Sequence, residues 1–416
     1  MKKSTFHPEY GFDTNAIHAG EPHPAARNAH VAPIYQSSTY SFASAEDGAK
    51  TFAGEKEGYI YGRMGSPNTT IIAEKIAALE GAGLVQKKHA AGEKDFTVDA
   101  HAFSSGLNAI TTLMLTLLKP GDTLIAQASL YGGTVGLFNT LLTKYDIKVV
   151  WIDHGTLDAF ERTLAKHSHA KVLYCETPAN PTLELVDIQA VADLAHAHDI
   201  PLVVDNTFAT PYLQKPLELG ADWVVHSTTK YIGGHGVVVG GMLVSPYMKT
   251  VCEELTNNMH VTGGSPSPFD AWLLNMGVKT LPLRMERHCD NAEKVVDYLV
   301  HHPKVEHVWY PGLESHVGHD IAKKQMKRYG GMISFELKGG LAAGVTLMDN
   351  VQLMTLAVSL GTVDTLIQHP ASMTHAAVPA EQRHGAGITD GLVRVSVGIE
   401  NVEDIIADFD QALAKI

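Results

Sequence analysis

The sequence predicts an α/β protein, with a large domain on a mostly parallel sheet followed by a smaller α+β C-terminal domain. Three observations predict it. From about Gly106 to Val244, short β-branched runs alternate with amphipathic stretches, the pattern of βαβ units. After Pro282 the period changes to one long helical run followed by further strand candidates. The chain's 416 residues also exceed an ordinary single core, since domains run to roughly 100–200 residues.

The elements follow in order. Residues 1–62, rich in Pro, His, Ser and Tyr and without a clear period, are expected to form an arm that packs on a neighbouring subunit. Residues 63–265 are expected to form the large, ligand-holding domain and residues 266–416 the small one. Gln86–Asp99 (QKKHAAGEKDFTVD) is charged and aperiodic and reads as a surface loop or hairpin. The strand candidates of the large domain are Thr123–Ala126, Lys148–Ile152, Val172–Glu176, Leu202–Asp205 and Trp223–His226. Between them, Asp187–His198 carries Ile188, Val191, Leu194 and Ala195 on one helical face. Lys119-Pro120-Gly121-Asp122 closes one helix, and Ala179-Asn180-Pro181 follows a strand end. In the small domain Arg284, Cys289, Ala292, Val296 and Leu299 trace the long helix. Val305–Trp309, Met332–Leu337 and Leu392–Val397 are its strand candidates.

Composition narrows the function classes. With 45% hydrophobic and 19% charged residues the chain is ordinarily globular. A formal charge of -13 without a basic run argues against a nucleic-acid partner. Cys175, Cys252 and Cys289 are odd in number and widely spaced, which supports neither disulfides nor a zinc knuckle and fits a reducing compartment. Met1–His7 has basic residues but no apolar run behind them, and no stretch approaches membrane-spanning length, so a cytoplasmic protein without a membrane partner is expected. The pairs His196/His198 and His301/His302 lack metal-site spacing, and no metal is expected. Gly233-Gly234-His235-Gly236 does not join a strand to a helix and reads as close backbone packing, not a dinucleotide loop.

Chemistry concentrates around one lysine. Val203-Val204-Asp205-Asn206-Thr207 and, further on, Val224-Val225-His226-Ser227-Thr228-Thr229-Lys230 bring an aspartate and a lysine to two strand ends. Open α/β sheets bind ligands beyond the carboxyl ends of their strands, so both face one crevice. A lysine there can form an imine with an aldehyde cofactor if its pKa is lowered. An aspartate opposite a pyridine nitrogen would keep that nitrogen protonated and the ring an electron sink. Ser227 and Thr229 can donate to a phosphate. Ser104-Ser105-Gly106-Leu107, where a glycine opens a helix, offers a second cradle of N–H groups through Ser105, Gly106 and Leu107. Singly, Lys230 reads as a solvated loop lysine and Asp205 as a turn residue. Together the parts describe a pyridoxal phosphate site.

The stretch Asp205 to Gly241, DNTFATPYLQKPLELGADWVVHSTTKYIGGHGVVVGG, resembles the lysine signature of the Cys/Met metabolism pyridoxal phosphate enzymes. The resemblance extends to YGRMGSPNTT (61–70), LYGGT (130–134), ETPANPT (176–182), HPASMTH (369–375) and GLVRVSVGIE (391–400). It implies the type I aminotransferase fold, pyridoxal 5'-phosphate as cofactor, an amino-acid substrate, and a homotetramer made of two tight dimers. It also implies roles. Lys230 carries the cofactor and moves protons. Tyr131 stacks on the ring and serves as an acid. Asn180 touches the cofactor's hydroxyl, and Tyr61 and Arg63 reach the phosphate of the neighbouring subunit's cofactor. Arg394 clamps the substrate carboxylate, with Ser359 beside the substrate. The implied reaction is γ-elimination on a sulfur amino acid, methionine giving methanethiol, 2-oxobutyrate and ammonia. The alternatives are γ-replacement on O-acetylhomoserine, cystathionine chemistry, or a cofactor-binding regulatory protein without turnover. This chain departs from the pattern in three places. Gly133 stands where methionine-cleaving members usually carry a cysteine. Val358 stands where cystathionine-handling members usually carry a glutamate. Gln86–Asp99 looks inserted.

Overall fold

A computed structural model describes residues 8–22, 25–376, 379–385 and 387–416. Met1–His7, read above for a leader, lies outside them. Seven strands, β1 (Asp99–Phe103), β2 (Thr123–Gln127), β3 (Lys148–Ile152), β4 (Val172–Glu176), β5 (Leu202–Asp205), β6 (Trp223–Ser227) and β7 (Gly241–Ser245), form one sheet in the order β1-β7-β6-β5-β4-β2-β3. β3, β2, β4, β5 and β6 are mutually parallel, while β7 runs antiparallel to both β6 and β1. The five strand candidates of this region are thus present to within a residue. β1 and β7 are additions that sequence reasoning did not find.

Because successive side chains on a strand face opposite sides, each strand feeds two cores. Leu124, Tyr174, Val203, Val225 and Leu243 pack with Ile110 and Leu113 of the helix Gly106–Leu117. Leu173, Cys175, Leu202 and Val204 pack on the other face with Phe160, Leu164, Val191 and Ala195. Burying each such side chain contributes about 1.5–3 kcal/mol, and cover on both faces explains why these strands read as continuous apolar runs. The same alternation puts Asp205 on the face of Val203, and Glu176 on the face of Tyr174. Register then sets the two carboxyls side by side, Glu176 opposite Asp205.

The second sheet has β8 (Val305–Trp309), β9 (Met332–Leu337), β10 (Thr355–Leu356), β11 (Leu366–Gln368) and β12 (Leu392–Ser396) in the order β10-β11-β12-β9-β8. Val393 and Val395 enter a core with Phe335, Ile405 and Phe409. Arg394, between them, points to the other face. The long helix spans Leu281–His301, with Pro282 in the first turn, where its missing N–H costs no ladder bond.

Two sequence expectations need adjustment. Gln86–Ala90 is not loop or hairpin but the end of the helix Pro67–Ala90, and Asp99 already belongs to β1. The charges that suggested a loop, Lys87, Lys88 and His89, occupy the last helical turn, where cations complement the exposed carbonyl end of the dipole. The arm, in turn, docks partly on its own chain. Its helix Phe12–His18 is anchored by Lys75, whose Nζ donates to the Ile17 carbonyl at 2.7 Å and to Glu21 Oε1 at 3.2 Å. Among the described residues, no helix is long and apolar enough to cross a membrane.

Candidate active site

The carboxyl ends of β4, β5 and β6 deliver Glu176, Asp205 and Ser227, and the turn after β6 carries Lys230. Lys230 is half-buried, and its Nζ donates to Ser359 Oγ at 2.9 Å. Burial, with a smaller push from the Arg394 cation, lowers its pKa to about 8. Lys230 is therefore not a solvated loop lysine. Asp205 is 8% exposed. Its Oδ1 accepts from the Thr207 N–H at 3.0 Å and the Thr207 hydroxyl at 2.6 Å, and its Oδ2 from the Tyr174 hydroxyl at 3.4 Å. Burial pushes its carboxyl up while the Thr207 bonds pull it down, and the upward push wins. Among the described residues, no cationic side chain hydrogen-bonds to it.

Arg394 reaches the same crevice from the middle of the second sheet, 5% exposed. Its Nη1 donates to Asn180 Oδ1 and its Nη2 to the Ser359 carbonyl, both at 2.7 Å. With its carboxamide turned oxygen-first, Gln368 accepts from Nε at 3.1 Å. Burial lowers even this guanidinium, to about 10. Ser359 therefore separates the lysine from the arginine, its hydroxyl toward one and its carbonyl toward the other.

On the opposite side stands the helix Gly106–Leu117. Ser105 caps it, the hydroxyl accepting the Asn108 N–H at 3.1 Å, which leaves the N–H groups of Gly106 and Leu107 ahead of the helical ladder. A Cβ on Gly106 would lie 3.0 Å from Ser227 Cβ, so glycine keeps this corner open. The Ser227 N–H donates to Thr207 Oγ1 at 2.8 Å. The Thr229 hydroxyl instead exchanges hydrogen bonds with the Gly240 backbone, at 3.0 and 3.3 Å. Tyr131 is 52% exposed; its N–H donates to Glu176 Oε2 at 2.8 Å. Its ring lies over Gly133, where a Cβ would stand 2.5 Å from Tyr131 Cε1.

Tyr61 and Arg63 sit apart from this cluster. Tyr61 pairs with Thr39, and Arg63 donates to the His260 carbonyl. Among the described residues neither hydrogen-bonds to Lys230, Asp205 or Arg394. Sequence reasoning passed over Glu176, Tyr174 and Gln368. Only Glu176 gave a signal, as a carboxylate ending a strand candidate.

These residues fit pyridoxal phosphate. A protonated ring nitrogen would supply the cation that buried Asp205 lacks. The first-turn N–H groups and the gap at Gly106 suit a phosphate, and Lys230 is poised near neutrality. Fold and site together define a pyridoxal phosphate enzyme of the α/β class. The family profile described as Cys/Met metabolism PLP-dependent enzyme matches residues 13–414, and the chain belongs to that family. It is 51% identical over 414 residues to an L-methionine gamma-lyase of Fusobacterium nucleatum subsp. polymorphum, covering 98% of this chain and 99% of the relative. It is 48% identical to an L-methionine gamma-lyase of Porphyromonas gingivalis, covering 98% of each. Among solved structures, the cystathionine gamma synthase of Xanthomonas oryzae pv. oryzae in complex with cystathionine superimposes with a TM-score of 0.88 at 39% identity, covering 98% of both chains.

Proposed function

We propose that this chain is a carbon–sulfur lyase that converts L-methionine and water to methanethiol, 2-oxobutyrate and ammonia. The observation that carries the proposal is the convergence of a near-neutral lysine and a buried arginine on Ser359, in a chain so similar to L-methionine gamma-lyases. Val358 adds support, since it offers no charge for a distal ammonium.

Pyridoxal phosphate, when bound, supplies an aldehyde for the substrate's amine and a ring that draws electrons from the bonds at its α-carbon. The protein's own groups do the rest. Arg394 presents its guanidinium to the substrate carboxylate, where two parallel hydrogen bonds fix orientation as well as charge. Lys230 takes the α-proton, passes it on within the site and, free again, takes a β-proton, which its lowered pKa allows near neutral pH. The Tyr131 hydroxyl gives a proton to the departing sulfur. Asp205, Ser105, Gly106, Leu107, Ser227 and Asn180 hold the cofactor, and the Thr229 hydroxyl joins them by turning its proton from the Gly240 carbonyl to the phosphate. In this scheme residues 63–265 hold the cofactor, residues 266–416 bring the substrate clamp, and residues 1–62 form the arm. Tyr61, 44% exposed, and Arg63 serve a neighbouring subunit's phosphate within a cytoplasmic homotetramer.

Incubating the loaded protein with L-methionine alone tests the reaction, and 2-oxobutyrate with methanethiol is expected. Homocysteine formed from O-acetylhomoserine and sulfide, with no keto acid from methionine, would replace elimination by γ-replacement.

A further inference from the structure

Glu176 has no part in the chemistry above, yet it hydrogen-bonds to two residues of the site, Tyr131 and Asn180. It ends β4, 4% exposed, on the sheet face that carries Asp205. Its Oε2 accepts the Tyr131 N–H at 2.8 Å and its Oε1 the Asn180 N–H at 3.0 Å. Its own N–H donates to Gln127 Oε1 at 3.2 Å. Asn180 passes the connection on, since its Oδ1 accepts from Arg394 Nη1 at 2.7 Å. One carboxylate thereby ties the loop after β2, which presents Tyr131, to the loop after β4, which presents Asn180, and through Asn180 to the guanidinium on β12.

The chemical type matters. A carboxylate accepts at both oxygens, whereas a carboxamide would turn an NH₂ group against one of the two N–H donors. A buried carboxylate beside a second one is costly. The cost is visible here, for burial and the neighbouring Asp205 push the Glu176 carboxyl upward. A group that served only to fill space could be apolar.

We propose that Glu176 is the positioning residue of this site: its carboxylate places the Tyr131 hydroxyl against the leaving group and, through Asn180, aims Arg394 at the substrate carboxylate. The proposal rests on the roles given to Tyr131 and Arg394 above.

A double-mutant cycle on the cofactor-loaded protein tests it, with Glu176→Gln, Tyr131→Phe and the pair. Glu176→Gln is expected to lower kcat about 10–100-fold, the scale of a small misplacement of catalytic groups, and to raise KM for methionine a few-fold through Arg394. In the Tyr131→Phe background its effect on kcat should shrink to about threefold or less, because a misplaced hydroxyl no longer matters once the hydroxyl is gone. The visible circular dichroism of the bound cofactor should change at unchanged cofactor content, since it reports the ring's surroundings and not turnover. The proposal is overturned if the two losses multiply in full, or if the dichroism per bound cofactor is unaltered. Tyr131→Phe alone turning over like the parent would strike the acid role of Tyr131 instead, and the dichroism of Glu176→Gln would still decide whether Glu176 orients the ring's neighbours. Should Glu176→Gln not accumulate as folded protein, Glu176→Asp carries the same cycle, keeping the charge while too short to span both N–H groups.

Discussion

Lys230 shows how one residue's surroundings set its chemistry. Removal from water disfavours its ammonium, and Arg394 adds a like charge, so the amine is half free at about pH 8. Attachment of pyridoxal phosphate to the cofactor-free protein needs the free amine, so its rate should rise about tenfold per pH unit below that midpoint and level off above it. Stopped-flow absorbance across the pH range checks this, and replacing Arg394 by Met should move the midpoint upward. The lysine and the aspartate stood out in the sequence only together, as two strand ends facing one crevice, and the arginine only through the family motif it sits in. Glu176 was not recognised, because its importance comes from facing Asp205 across the β4–β5 register. Tyr174 and Gln368 likewise matter only through neighbours brought from distant parts of the chain.

At the scale of an element, the helix Gly106–Leu117 joins stability to the proposed cofactor site. Its Ser105 cap satisfies one N–H and aligns the two ahead of it. Ser105→Ala should cost about 1 kcal/mol of stability and weaken pyridoxal phosphate binding, measurable by thermal unfolding with and without the cofactor. The parallel strands were readable because each is built on a short run of apolar residues. β1 escaped because its sequence, DAHAF, is half polar and follows a charged tract. That tract in turn misled, since lysines that look like loop suit a helix's carboxyl end equally well.

At the scale of the whole molecule, Glu21 is a junction. Its carboxylate accepts from Lys75 at 3.2 Å, Lys279 at 2.8 Å and Asn275 at 2.9 Å, joining the arm to the helix Pro67–Ala90 and to the start of the C-terminal part. Burial raises its pKa, but Lys279 and Lys75 outweigh this and carry it below the usual carboxylate value. Glu21→Ala would leave the Lys75 ammonium buried with, among the described residues, only the Ile17 carbonyl as acceptor, a loss of about 3–5 kcal/mol, read as a lowered unfolding midpoint. The pH dependence has a definite sign. Burial holds Lys75 at about 8 in the folded protein against 10.5 unfolded, so between those values the unfolded chain binds more protons and the contribution of Lys75 to stability rises with pH. Glu21 holds the Lys75 pKa up, so its removal lowers it further, and the deficit of Glu21→Ala should narrow as the pH rises towards about 8 and level off above it. No periodicity in residues 1–62 announced this anchor, because it depends on a lysine more than fifty residues away.

The Arg394 guanidinium stands on the central strand of one sheet, and the Lys230 amine follows a strand of the other, with Ser359 between them. An amino acid held at both places would become a removable rivet between the two sheets. Its N–Cα–C spacing is common to every α-amino acid, so that grip cannot tell one from another, and discrimination is left to whatever meets the chain beyond the β-carbon. Occupancy should also stabilise the folded protein by mass action, read as a higher unfolding midpoint with a bound amino acid.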